Sequence, residues 1–387
     1  MLFRSEIGVI IHLDIEVFDP KWTHMLNQHQ LRPPLPVEIF NPQQLDTDQW
    51  IQAAKAAGAT YAVLTAKHVT GFTLFPDPDY DYAIDKTPYK GGKGDIVKEF
   101  VESCHKFGLK PGLYYSCEAN SYLNIHRGSG NMPAYPSKEW DYFKELVTRH
   151  LTHLWSQYGD LFEIWFDGGL LEHGPDYAGL LKKYQPNAVT FQGPDTHLHR
   201  IRWVGNERGV APYPCWATIF STEAYDGTQE IGDKNKGDPD GPYWVPAEVD
   251  VPLRYMQWFW LPNQDGLAAS PGYIMKWYYE SVGRNGNLLL GLVIDDRGLV
   301  PDADVAILNE FGTALKERFQ APINQISGEG PVIEMGRDEP FEFNTVELQE
   351  NVTEGHRVRE FYIEVSKNGT DWVSILKGSA IGHRFLA

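Results

Sequence analysis

Residues 138–169, KEWDYFKELVTRHLTHLWSQYGDLFEIWFDGG, contain one helix-to-strand unit whose repetition decides the fold. Over 138–158, Trp140, Phe143, Val147, Leu151, Leu154 and Tyr158 recur at steps of three and four, which is one face of an α-helix. After Gly159 the run LFEIWFD is apolar except at Glu163 and its last residue, Asp167. A strand covered on both sides lacks the two-residue alternation of a half-exposed one, so 161–167 reads as a buried parallel strand. It ends on Asp167 and two glycines that let a ligand approach the backbone.

The same alternation extends in both directions. Apolar runs at 7–13, 59–65, 109–116, 188–192, 201–205 and 286–293 read as further buried strands. Helices are expected after Asp46 or Thr47 (ended by Gly58), after Asp95 (ended by Gly108), and over 302–319, where Val305, Leu308, Phe311, Leu315 and Phe319 form one stripe. Seven or eight such units within residues 1–320 imply an α/β fold of the (β/α)8-like TIM barrel class. From Pro331 the texture changes to strand-like runs separated by turn signals such as Asn368-Gly369. Residues 321–387 therefore read as a partial β-sandwich, shorter than the ~100 residues of a complete one.

Composition narrows the function. Among 387 residues, 52 acidic against 34 basic side chains leave a net charge of −18, which argues against nucleic acid and anionic membrane surfaces as partners. The start, MLFRSEIGVIIHLDIEVF, has too short an apolar run for a signal segment or a membrane span. An upstream segment is a separate expectation, and a secreted or lysosomal location would follow from one. Cys104, Cys117 and Cys215 fit neither a disulfide framework nor a metal site and are expected to be free and buried. Aromatic residues make up 13% of the chain, a composition suited to holding an amphipathic ligand such as a sugar.

In a barrel of this class the chemistry lies at the C-terminal ends of the strands. Those ends supply His12 and Asp14, then Lys67 and His68, then Tyr114, Tyr115 and Glu118, then Asp167. A second carboxylate, Glu207, closes the RWVGNE segment about one βαβ unit downstream. Two carboxylates facing one cavity suit glycosidic bond cleavage: one attacks the anomeric carbon, while the other keeps a proton for the leaving oxygen. Glu118, Glu163, Glu223 and Glu248 are the other carboxylates available, with Glu163 deeper in the strand of Asp167. Trp165, Trp203, Trp258, Phe259 and Trp260 are among the aromatics expected around the rim. The glycine-rich 89–94 lacks phosphate-loop spacing, 232–241 lacks the alternating acids of a calcium loop, and His150 with His153 lacks a third ligand. No metal and no organic cofactor is expected.

With these residues in place, the chain resembles the α-L-fucosidases of glycoside hydrolase family 29, from about Glu6 to His383. The likeness is carried by FNPQQLDTDQW, AGATYAVLTAKH with GFTLFP, GLKPGLYYS, IWFDGG, RWVGNE, PCWAT, WVPAEVDV, the WFW run and SVGRNGNLLLG. It implies a catalytic barrel followed by a galactose-binding-like β-sandwich. It implies Asp167 as nucleophile and Glu207 as acid/base, as in the branch that removes α-1,3- or α-1,4-linked fucose from oligosaccharides. It also implies that His12, His68, Tyr115 and Trp165 line the sugar pocket; Trp203 and Trp260, from the aromatic rim, are expected as further sugar contacts. The sequence departs from the family pattern at Val69 and Leu261, where relatives often carry histidine, and at His12-Leu13-Asp14. These departures leave open a weakened barrel that binds fucosylated glycans, or a glycosidase for a fucose-like sugar such as L-galactose.

Overall fold

The computed structural model describes residues 5–19, 21, 33–220, 233–336 and 339–387. Eight parallel strands close into a barrel: β1 Ile7–His12, β2 Tyr61–Lys67, β3 Lys110–Tyr115, β4 Glu163–Trp165, β5 Val189–Phe191, β6 Arg200–Trp203, β7 Ala247–Pro252 and β8 Gly286–Val293. They pair in chain order, and β8 returns to β1 with Ile7 opposite Leu288 and His12 opposite Val293.

Six α-helices are found among the described residues: α1 Thr47–Ala56, α2 Ile96–Phe107, α3 Lys138–Gln157, α4 Tyr177–Tyr184, α5 Pro271–Ser281 and α6 Asp302–Phe319. Their ends follow local chemistry. The Asp46 carboxylate accepts from the amides of Asp48 and Gln49, Asp95 accepts from Lys98, and Gly108 ends α2 at φ +77°, where a side chain would strain. Asp302–Phe319 is helical as the stripe of Leu308 and Phe311 requires.

Apolar residues form two shells. Ile10, Tyr61, Val63, Tyr114, Trp165, Phe191, Ile201 and Leu289 fill the barrel interior, while a larger layer lies between the strands and the helices. Because side chains alternate along a strand, neighbours go to different shells: Tyr114 lies inside the barrel and Tyr115 in the outer layer.

Strand β7 is absent from the seven runs that sequence periodicity picks out. Its sequence AEVDVP alternates acidic and apolar residues, the mark of a half-solvated strand, yet all six residues are buried. Glu248 and Asp250 point into the barrel, where side chains satisfy them. Tyr61 Oη donates to Glu248 at 2.9 Å, Trp165 Nε1 donates to Glu248 at 3.0 Å, and Trp203 Nε1 donates to Asp250 at 2.6 Å.

Past α6 the described residues form two separate antiparallel ribbons: β9 Phe361–Val365 with β10 Val373–Gly378, turned through Asn368-Gly369, and Glu347–Leu348 with Phe385–Leu386. They are tied to the barrel by Arg384, which pairs with Glu6 at 2.6 Å, and by His356, whose Nε2 accepts from the Ala217 amide at 2.9 Å. The three cysteines are buried and free. Among the described residues no helix is long and apolar enough to cross a membrane.

Candidate active site

The side chains at the C-terminal end of the barrel converge on one surface built of rings. His12, at the end of β1, lies 5.0 Å from the Trp258 ring and 5.1 Å from Phe259. His68, just past β2, stacks on Tyr114 at 5.6 Å and meets Phe259 edge-on at 4.8 Å. Tyr114 stacks in turn on Trp165 at 5.4 Å, and Trp165 on Phe191 at 3.9 Å. Offset stacks of this kind hold each ring in one orientation, which makes a rigid floor.

Each of the two carboxylates accepts a hydrogen bond from a different ring of this floor. Tyr114 Oη donates to Asp167 Oδ2 at 2.6 Å, a short bond of the charge-assisted kind. Trp258 Nε1 donates to Glu207 Oε2 at 3.0 Å. Asp167 is half-buried and Glu207 exposed. Asp167 stands on a strand end that two left-handed glycines terminate, Gly168 at φ +69° and Gly169 at φ +84°. The Glu207 turn is fixed by Asn206, which accepts from the Arg208 amide and donates to the Val210 carbonyl, both at 3.0 Å.

Charged groups packed under and beside the floor set its electrostatics. Lys67 is fully buried, donates to the carbonyls of Ser116 and Ala119, and faces Asp14, Glu118 and Asp167. Burial pulls its ammonium down to about 8. Burial likewise pushes Asp14 up to about 7, against the hydrogen bonds it accepts from Thr70 and the Ile15 amide. Glu118 is pushed up to about 7 by burial, with Asp167 adding to the rise and Arg127 and Lys67 opposing it. Below the floor, burial and the charge of Glu207 hold Asp250 well above the usual carboxylate range. Glu163 is raised by burial and by Glu248 beside it, and burial pushes Glu248 up to about 7. Among the described residues no group of His, Cys, Asp and Glu has the arrangement of a metal site.

The expected site residues divide. Asp167, Glu207, His12, His68 and Trp165 come together, and Trp203 lies just below through its bond to Asp250. Tyr115 does not join them. Its hydroxyl lies 2.9 Å from His150 Nδ1, and His150 Nε2 is 3.0 Å from Asp77. Tyr114 is the neighbour that faces the barrel interior, because β3 alternates and its even-numbered residues point inward. Trp260 packs against the outer layer, and Trp258, two residues earlier in the same bend, takes the contact with His12 and Glu207. Phe259, Lys67 and Asp250 complete the surroundings; β-strand parity would have found Asp250 had β7 been recognised. Glu223 lies outside the described residues.

Known proteins give a consistent picture. A family model described as alpha-L-fucosidase matches residues 18–318. Alpha-L-fucosidase 1 of Arabidopsis thaliana is 31% identical over 90% of this chain and 74% of its own length. A crystal structure from Bacteroides thetaiotaomicron VPI-5482 superposes with a TM-score of 0.89 at 37% identity, covering 99% of this chain and 90% of the other. A glycoside hydrolase 29 family member from an unknown rumen bacterium superposes with a TM-score of 0.79 at 27% identity, over 100% of this chain and 70% of the other.

Proposed function

The chain belongs to the alpha-L-fucosidase family of glycoside hydrolases, and from that premise we propose that it is a retaining exo-enzyme with Asp167 as nucleophile and Glu207 as acid/base. The observation that carries the reading is that one ring floor holds both carboxylates, Asp167 through Tyr114 and Glu207 through Trp258, two rings that both lie beside His12. A pyranose resting on this floor presents its anomeric carbon to one carboxylate and its leaving oxygen to the other.

In the first step Asp167 attacks the anomeric carbon as the glycosidic bond breaks, and Glu207 gives its proton to the departing oxygen. The product is a covalent fucosyl-enzyme. Glu207, now ionised, takes a proton from water, which attacks the same carbon and frees Asp167. Tyr114 holds Asp167 in one orientation through its hydroxyl, and His12 and His68 offer ring nitrogens to sugar hydroxyls. The RWVGNE setting of Glu207 supports α-1,3- and α-1,4-linked fucose in branched oligosaccharides as substrates.

The test is hydrolysis of α-1,2-, α-1,3-, α-1,4- and α-1,6-fucosides and an aryl fucoside, with the first-formed anomer followed by NMR. Release of α-fucose, fastest from the 1,3- and 1,4-linked substrates, is expected. β-Fucose as first product would overturn the nucleophile assignment, and a preference for another linkage would overturn the substrate assignment.

A further inference from the structure

Glu118 and Arg127 flank a short hairpin in which Ala119–Asn120 pairs antiparallel with Ile125–His126, so they face one another across its open end. The Arg127 amide donates to the Glu118 carbonyl at 3.1 Å, and the side chains form an ion pair of 2.5 Å. The hairpin is anchored to the barrel rather than free. Lys67 donates to the Ala119 carbonyl, the amides of Ser121 and Tyr122 donate to Val69 and Thr70, and Asn120, fully buried, donates to Tyr80 at 2.9 Å.

From this base the pair reaches the backbone directly after Asp167. Arg127 Nη2 donates to the Gly168 carbonyl and Nη1 to the Leu170 carbonyl at 3.3 Å. The Glu118 carboxylate packs where Gly168 would carry a side chain: a Cβ there would lie 2.3 Å from Glu118 Oε1. Gly168 is therefore required both by its left-handed backbone and by this contact.

We propose that Glu118 and Arg127 are positioning residues for Asp167: the guanidinium grips the carbonyls of Gly168 and Leu170, and Glu118 orients the guanidinium and packs against Gly168. The proposal rests on Asp167 being the nucleophile. Displacement of a reacting group by about 1 Å can lower turnover about 100-fold, so a grip one residue from the carboxylate bears on the rate and not on substrate affinity. Charge fits the same role, since Asp167 repels Glu118 and Arg127 offsets that repulsion.

The experiment compares Arg127→Met, Arg127→Lys and Glu118→Gln with the unaltered chain. It uses an activated aryl fucoside and a fucosylated trisaccharide, melting curves, and mass-spectrometric labelling by a 2-fluoro fucosyl fluoride. Arg127→Met is expected to lower kcat about 30- to 100-fold on both substrates with KM changed less than about threefold, Arg127→Lys to recover part of the loss, and Glu118→Gln to lose about tenfold. Melting temperatures should stay within about 2 °C. Unchanged kcat, a rise in KM alone, or loss in proportion to melting temperature would overturn the proposal. So would a loss at Glu118→Gln confined to the poorer leaving group, which would make Glu118 the proton donor. Label on a peptide lacking Asp167 would instead overturn the nucleophile reading on which the proposal stands.

Discussion

Tyr114 and Tyr115 are adjacent and nearly equally buried, yet their hydroxyls serve different parts of the molecule. A hydrogen bond to a charged group contributes about 1.5–3 kcal/mol, so Tyr114→Phe is expected to lower kcat about 10- to 100-fold, read by steady-state kinetics on the aryl fucoside. Tyr115→Phe removes only the bond to His150. It should leave kcat within about twofold and lower the melting temperature by about 2–4 °C. Equal kinetic losses in both would mean that both tyrosines touch the sugar. Glu207→Ala should slow the trisaccharide by about 100-fold or more and the activated aryl fucoside far less, because a good leaving group needs no proton. A uniform loss on both substrates would remove Glu207 from the acid/base role. Asp167, Glu207, His12 and His68 were legible in the sequence, since each follows an apolar run and strand ends carry the chemistry. Tyr114 and Trp258 stood among the strand-end and rim residues as well, but the choice of Tyr114 over its neighbour Tyr115 depends on which face of the strand looks inward, and composition is blind to that parity.

At the scale of elements, helix ends and buried strands were legible because their signals are local: a carboxylate that caps, a glycine that closes, a stripe at helical spacing. Strand β7 escaped because its partners are distant in sequence. Glu248 reads only as one more available carboxylate until Tyr61 and Trp165 are brought to it across the barrel. Glu248→Leu leaves both donors unsatisfied in a dry interior, each omission destabilising by about 1–3 kcal/mol. Calorimetry is expected to show a melting temperature lower by about 5–15 °C, with a smaller drop for Glu248→Gln, which keeps an acceptor. An unchanged melting temperature in the leucine variant would mean that water reaches these donors. The ribbons past α6 were legible as a short β module, since turn signals such as Asn368-Gly369 between strand-like runs are local as well.

Across the whole molecule, the buried carboxyls predict how stability follows pH. Asp14, Glu118 and Glu248 are each raised to about 7, and Glu163 and Asp250 are raised as well, all chiefly by burial. A carboxyl whose folded value lies above its unfolded one keeps a proton that the unfolded chain has lost. Its stabilising contribution is complete below about 4 and is lost as pH rises toward 7, by about 1.4 kcal/mol per unit for one such proton. Asp77, Glu6 and Glu350 act oppositely: burial raises them, but histidine and arginine partners and backbone donors more than offset it, so their contributions are lost as pH falls below about 4. The formal charge of −18 adds self-repulsion that grows on the alkaline side. The melting temperature is therefore expected to peak near pH 5 and to fall toward pH 8. Added salt at about 0.5 M screens the surface repulsion but not the buried carboxyls, so it should flatten this fall only in part. A fall abolished by salt would assign the whole effect to surface charge, and a melting temperature rising from pH 5 to 8 would show that the barrel carboxyls are ionised in the folded protein.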